Sequence, residues 1–323
     1  MLSMRTLART LEILTVIKYH NFPYDFSVEN FISQILSEPK FRKFQGNKIH
    51  IYGSYPKLNS IYKTYIFLRS RNSDKYMSKW LENGYGIPPR VDEDAFNIWI
   101  TFENRRPLIE KFDLCISFDS YSYNNKNYYL PLLYFYINLD DKIKNVWKYD
   151  VVQSYLLSER EMPLRILKNK NRDMCAFVNN PHPIRMNFIN LFKNNLKLDE
   201  YGRHFGNYVP QKVNKIEQYW MNLCFENDLY PGYVTEKILE AWLGYSVPIY
   251  WGWDSQGILN SDAFINLANF VSDEEFVKSV CELIKDKTEM INLIKKPLIK
   301  KSFDLKKFTN FLYEGLARKF AEK

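Results

Sequence analysis

The stretch Cys224-Phe-Glu-Asn-Asp-Leu-Tyr-Pro-Gly-Tyr-Val-Thr-Glu-Lys237, followed by Gly244 and by Val247-Pro-Ile-Tyr-Trp-Gly252, decides the fold class. Its apolar start, Leu223 to Glu226, reads as a buried strand that breaks into a loop at Asn227, Asp228, Pro231 and Gly232. The loop runs into a helix from about Val234 to Leu243, capped by Gly244, and the next strand, Val247 to Trp251, starts within a few residues. Strand, loop, helix and strand in that order make an α/β unit. The start of such a helix offers free N–H groups and the positive end of its dipole to an anion, and Lys237 adds a full charge there. Glu236 is placed to accept from ribose hydroxyls, and Tyr233 to pack against a sugar or base. The same residues suit a capped core helix in which Thr235 and Glu236 are ordinary first-turn residues, and spacing alone leaves both readings open.

The α/β rhythm extends outward on both sides. In the second half, a strand at Met174 to Val178 precedes helices from Ile184 to about Asn195 and around Val213 to Met221, and a strand at Phe264 to Leu267 precedes a helix from Glu274 to Ile284. In the first half, the expected strands are Ile13 to Lys18, Lys48 to Tyr52, Asn97 to Phe102, Leu114 to Phe118 and Leu130 to Ile137. A helix is expected at Val28 to Leu36 and an aromatic, Asn-rich turn at Tyr121 to Tyr129. Alternation of this kind implies parallel sheets. The basic cluster Lys168, Lys170 and Arg172 marks the boundary between a domain of residues 1–170 and one of residues 171–290, with a ligand site in the cleft between them.

A chain of 323 residues with 46% apolar, 17% aromatic and 25% charged residues can bury two cores, which excludes disordered and low-complexity classes. The four cysteines, Cys115, Cys175, Cys224 and Cys281, form no CxxC pair and no disulfide pattern. No apolar run is long enough to cross a bilayer. Glu12 interrupts the N-terminal apolar stretch, which argues against a signal peptide. A cytoplasmic location is therefore expected. The net charge of +8 is spread among 37 acidic residues, a pattern that disfavours nucleic acid as a partner. The exception is residues 291–323. There Lys295, Lys296, Lys300, Lys301, Lys306 and Lys307 precede Arg318 and Lys319, while Leu305, Phe308, Leu312, Leu316 and Phe320 recur at helical spacing. This basic amphipathic helix is expected to close onto the protein, with peripheral contact to the inner face of a membrane as the other use of its basic edge.

Phe225-Glu-Asn, Gly232-Tyr-Val-Thr-Glu-Lys-Ile238 and Val247-Pro-Ile-Tyr-Trp-Gly252 together resemble the donor-binding signature of the family 10 glycosyltransferases, the α-1,3/4-fucosyltransferases. The resemblance extends to Asn21-Phe-Pro with Glu29-Asn-Phe31, to Thr101-Phe-Glu-Asn104 with Pro107, to Phe177-Val-Asn-Asn-Pro-His-Pro-Ile-Arg185 and to Tyr201-Gly-Arg203, covering roughly residues 12–285. Asn179 stands where bacterial relatives usually carry a small serine, and Asp228 where many carry serine or threonine.

The resemblance implies a GT-B fold, two Rossmann-like α/β domains facing a cleft, with an N-terminal acceptor domain and a C-terminal GDP-fucose domain. It implies an inverting transfer from GDP-β-L-fucose to a sugar hydroxyl. Bacterial members act on N-acetyllactosamine-type surface glycans of the Lewis-antigen kind. Matched position by position, Glu103 takes the role of general base, Arg185 and Lys237 hold the diphosphate, and Asn227, Tyr233 and Glu236 contact the nucleotide. The chemistry agrees: an inverting displacement needs one carboxylate to take the acceptor proton, and cations aimed at the departing diphosphate stabilise the transition state. No cofactor is obligatory on this reading, and a divalent metal would at most stimulate. Asp92-Glu-Asp94 fits a metal-binding D-x-D pattern but lies upstream of a strand, among prolines and loop residues. His20, His50, His182 and His204 show no ligand spacing. Two alternatives remain at this stage: transfer of another GDP-linked deoxysugar, because guanosine and diphosphate contacts do not read the sugar, and nucleotide-sugar binding without turnover.

Overall fold

The computed structural model describes residues 32, 35–44, 47–54, 61–66, 76–79, 91–101, 104, 106–131, 133–136 and 155–320. The chain divides into two compact units. One comprises residues 24–135, 231–233 and 303–323; the other holds residues 136–230 and 234–302, together with the first 23 residues. The expected strand at Ile13 to Lys18 lies outside the described residues.

In the unit that begins at Tyr24, β1 (Lys48–Ser54), β2 (Ile61–Ile66), β3 (Tyr76–Lys79), β4 (Phe96–Thr101), β5 (Leu114–Ser117) and β6 (Asn127–Tyr129) form a six-stranded sheet in the order β3-β2-β1-β4-β5-β6. The pairs among β1, β4, β5 and β6 are parallel, whereas β2 and β3 join antiparallel at one edge, which the alternation rule did not foresee. The strand expected at Leu130 to Ile137 is instead a short helix, α1 (Leu133–Tyr136), and the pairing falls to Asn127–Tyr129 in the presumed turn. Two causes are visible. Tyr123, Asn124 and Asn125 adopt successive left-handed conformations that turn the chain early, and Pro131 has no amide to give a ladder. Short apolar runs also do not reveal their period.

In the other unit the elements run α2 (Leu164–Asn169), β7 (Arg172–Phe177), α3 (Pro183–Lys193), β8 (Leu198–Tyr201), α4 (Lys212–Ile216), β9 (Tyr219–Leu223), α5 (Glu236–Leu243), β10 (Val247–Tyr250), β11 (Ile265–Asn266), α6 (Asp273–Leu283) and α7 (Lys287–Lys295). Five strands order as β11-β10-β9-β7-β8, every pair parallel. Such a sheet is covered on both faces. Met174 and Ala176 of β7 join Phe188 of α3 and Phe276 of α6 in the main core, while Cys175 joins Ile216 of α4 and Tyr219 beneath the opposite face. The helix expected at Val213 to Met221 stops at Ile216, because Tyr219 and Trp220 are taken into β9, which precedes the expected Leu223–Glu226 position. Residues 155–169, read from sequence as part of the first domain, belong to this unit: Arg160 lies 3.6 Å over the Trp242 ring of α5 and donates to Ile294 O at 2.9 Å.

The chain ends in α8 (Leu305–Phe320), which packs in the unit of the six-stranded sheet. Phe308, Leu312 and Leu316 are fully buried, and Phe308 meets Tyr128 edge-on at 4.9 Å. Its apolar face is thus spent on the protein, as the closing-helix reading expected. Among the described residues no helix is long and apolar enough to cross a membrane. All four cysteines are free, and burial pushes the thiols of Cys115 and Cys175 up to about 12.

Candidate functional site

β9 ends at Leu223, but the chain stays beside β10: the amides of Cys224 and Glu226 donate to Ile249 O and Trp251 O, each at 2.9 Å. This extension carries Glu226 to the carboxyl edge of the parallel sheet, where α/β folds place ligand groups. The Glu226 carboxylate is wholly buried and both oxygens are engaged. Oε1 accepts from the Thr235 amide at 2.7 Å and the Tyr250 hydroxyl at 3.2 Å; Oε2 accepts from the Thr235 hydroxyl at 2.7 Å and the Lys237 ammonium at 3.3 Å. A carboxylate removed from water requires such partners. In satisfying itself it ties the strand end to the start of α5. Thr235 is the N-cap, yet its hydroxyl serves Glu226 and makes no side-chain cap bond to the helix. Gly252 belongs to the same lock, since a Cβ there would sit 2.3 Å from the Tyr250 hydroxyl oxygen and 2.9 Å from Glu226 Cγ.

Arg185 enters from the first turn of α3 and is 4% exposed. Nη2 donates to Phe225 O and to Asn227 Oδ1, both at 2.7 Å, and Nη1 donates to Asn180 O at 3.1 Å. These bonds fix the guanidinium beside the loop that leaves the strand. Asn179 supports the neighbouring turn: its side chain accepts from the Arg203 amide at 3.0 Å. Gly202, at φ 112°, has no room for a side chain, because a Cβ would lie 2.2 Å from Val178 O.

Arg185, Asn227, Glu236, Lys237, Lys212 and Glu240 line one cavity of about 150 Å³ at the start of α5. Lys212 reaches both Glu240 oxygens, at 3.1 and 3.0 Å. Burial pushes the Glu236 carboxyl up, but Lys237 and Lys212 outweigh it and hold the group below the ordinary glutamate range. Burial pulls Lys212 down, and Glu240 with Glu236 outweighs it in turn, so that its ammonium stays protonated beyond the usual lysine range. The cavity therefore carries three basic and two acidic side chains next to a helix N-terminus. It can hold a polyanion and offer carboxylate acceptors beside it.

The structure thus brings together Arg185, Asn227, Glu236 and Lys237. It does not bring Tyr233 to this cavity. Tyr233 is 2% exposed, meets the Phe118 ring edge-on at 4.9 Å, and falls with Gly232 in the unit that begins at Tyr24. Glu103 lies outside the described residues. Of its neighbours, Asn104 accepts from Arg106 at 3.1 Å. Asp92 pairs with Lys48 at 3.4 Å and accepts from the Asp94 amide at 3.0 Å. Sequence reasoning missed Lys212, Glu240 and Tyr250. The four-residue spacing of Glu236 and Glu240 was an available signal, placing both on one helix face.

Residues 167–295 match the family model described as glycosyltransferase family 10 (fucosyltransferase) C-term. These residues are similar to a family 10 domain. The chain is 29% identical over 228 residues to an α-(1,3)-fucosyltransferase, FucT, of Helicobacter pylori, covering 62% of this chain and 47% of that protein. It is 31% identical over 125 residues to 4-galactosyl-N-acetylglucosaminide 3-α-L-fucosyltransferase 9 of Bos taurus, covering 36% of this chain and 35% of that one. The chain thus spans about half or less of the length of these curated relatives. Crystal structures of an α1,3-fucosyltransferase with GDP and with GDP-fucose superpose with a TM-score of 0.57 at 24% identity, over 69% of this chain and 75% of theirs. That likeness shows the GT-B fold that the sequence resemblance implied. The matched residues contain the whole lined cavity, from Phe177 to Glu240.

Proposed function

We propose that the protein transfers L-fucose from GDP-β-L-fucose to a hydroxyl of N-acetylglucosamine or glucose in an N-acetyllactosamine-type glycan, with inversion, forming an α-1,3 linkage. The observation that carries this reading is the convergence of Arg185, Lys237 and Glu236 on one cavity at the start of α5 within the residues that match the family 10 model. Arg185 and Lys237 bind the diphosphate and take up the charge that develops on it as the glycosidic bond breaks, a stabilisation larger in the transition state than in the ground state. Asn227, held by Arg185, and Glu236 contact the nucleotide. Glu103 removes the proton of the acceptor hydroxyl as its oxygen attacks the anomeric carbon from the face opposite GDP. Two fixed cations serve the leaving group in this scheme, so no metal is obligatory. The names of the relatives, all 3-α-fucosyltransferases, support the donor and the linkage.

The test is Glu103→Gln. Isotope-traced fucose transfer to N-acetyllactosamine is expected to fall to background while calorimetric GDP affinity stays within about twofold, because the base serves the acceptor alone. Turnover near the wild-type rate removes Glu103 from the mechanism. Running the assay with several GDP-linked deoxysugars separates fucose from other donors.

A further inference from the structure

Lys212 stands apart from the other cavity cations. Arg185 and Lys237 come from segments that carry the signature motifs, whereas Lys212 is the first residue of a five-residue helix that none of those motifs includes. It crosses to α5 and meets both oxygens of Glu240, whose residue is 6% exposed, while Lys212 itself keeps 25% of its side chain exposed. Glu240 follows Glu236 by one helical turn, so the two carboxylates share a face. The charged groups around Glu236 are Lys237 beside it and Lys212 across from it; Glu226, on the strand side, spends its oxygens on Thr235, Lys237 and Tyr250.

Without Lys212, two carboxylates on one helix face would stand against Lys237 and Arg185. Lys237 is also drawn to Glu226 and Thr235, and Arg185 is bound to Asn180 O, Phe225 O and Asn227. The lower-energy responses are protonation of Glu236 or its rotation toward Lys237. Either removes the acceptor that a nucleoside hydroxyl would find. With Lys212 clamped on Glu240, the second carboxylate is neutralised in place and Glu236 stays ionised at the cavity wall.

We infer that Lys212 is a positioning residue of the nucleotide site, one that presents Glu236 to the nucleoside by clamping Glu240, and is not itself a diphosphate ligand. The inference rests on the donor reading above, and its test separates the two. Guanosine lacks phosphates, so a phosphate ligand and a positioning residue of the nucleoside contact respond differently to it.

The experiment titrates wild type, Lys212→Met, Lys212→Arg and the double variant Lys212→Met/Glu240→Gln with GDP and with guanosine by calorimetry. The double variant removes both partners of the clamp, so it leaves no buried unpaired carboxylate and stays folded if the single variant does not. Lys212→Met is expected to weaken GDP and guanosine by the same factor, roughly 10- to 150-fold, the size of one charge-assisted contact. The double variant, which has no second carboxylate to neutralise, is expected to bind both within about threefold of wild type, and a GDP loss in it with guanosine unchanged would make Lys212 a phosphate ligand. Lys212→Arg is expected to remain within about threefold of wild type, because a guanidinium also spans a carboxylate bidentately. Loss of GDP affinity on acidification should begin at higher pH in Lys212→Met, since removing a cation that holds the Glu236 pKa down lets that carboxyl protonate earlier. A loss confined to GDP, with guanosine unchanged, overturns the inference by making Lys212 a phosphate ligand. Unchanged affinity for both in Lys212→Met overturns it as well. Absence of GDP binding in the wild type contradicts the donor reading instead.

Discussion

Two groups of positive side chains teach different things about the same charge. In the cavity, Arg185, Lys212 and Lys237 are largely withdrawn from water and each is held by named acceptors: backbone carbonyls and Asn227 for the first, Glu240 for the second, Glu226 and Thr235 for the third. Near the C-terminus, Lys300, Lys301, Lys306, Lys307 and Arg318 are exposed, and the apolar side of α8 beneath the last three is already buried in the protein. The second group is larger, yet all five side chains stand in solvent, and salt screens charges exposed to solvent. A site comes from cations that have been desolvated and fixed; the count of charges does not make one.

Breaking the lock that fixes the cavity should have the largest effect. Glu226→Gln keeps the shape but puts an amide NH₂ where two donors now converge. It is expected to destabilise the protein by about 3 to 5 kcal/mol, as removal of one partner from a buried charged network does, and to abolish measurable GDP binding. Chemical denaturation and calorimetry read the two effects; a loss under 1 kcal/mol would show that the lock is dispensable. Gly252→Ala tests the same lock sterically, with a cost of about 1 to 3 kcal/mol typical of overpacking, read as a lower denaturation midpoint. Lys237→Ala sharpens the comparison. It takes the cation from the buried Glu226 carboxylate and should cost stability, though less than Glu226→Gln because the Thr235 and Tyr250 donors remain. It should also weaken GDP by about 1.5 to 3 kcal/mol. The contrasting region predicts the smallest effect: Lys306→Ala with Lys307→Ala should change stability by no more than about 0.5 kcal/mol and leave GDP affinity unchanged. A GDP defect in that variant would erase the distinction between the two groups.

The unit of the five-stranded sheet was readable because its cues are local. Gly244 ends α5 where the sequence says it does, β10 follows at once, and the cavity residues Asn227, Glu236 and Lys237 sit within the loop-to-helix turn that the string Asn227 to Lys237 prescribes. What was not readable depends on contacts distant in sequence. Lys212 meets Glu240 across 28 positions, and Tyr250 meets Glu226 across 24, with no spacing rule to announce either. Tyr233 reads as a ligand contact from its neighbours in the chain, but the fold pairs its ring with Phe118. In the other unit, β6 replaced the presumed turn because three left-handed residues reverse the chain before the apolar run begins. The edge strand β8, whose Leu-Asp-Glu-Tyr is half charged, has no apolar signature to find.

On the proposed function, fixed side-chain cations at the start of α5 hold the diphosphate of a guanosine nucleotide. The most direct measurement is calorimetric titration of the protein with GDP and with UDP, each with and without EDTA. GDP is expected to bind, UDP to bind far more weakly, and the chelator to change neither. Preference for UDP, or loss of GDP binding in EDTA, would contradict the proposal.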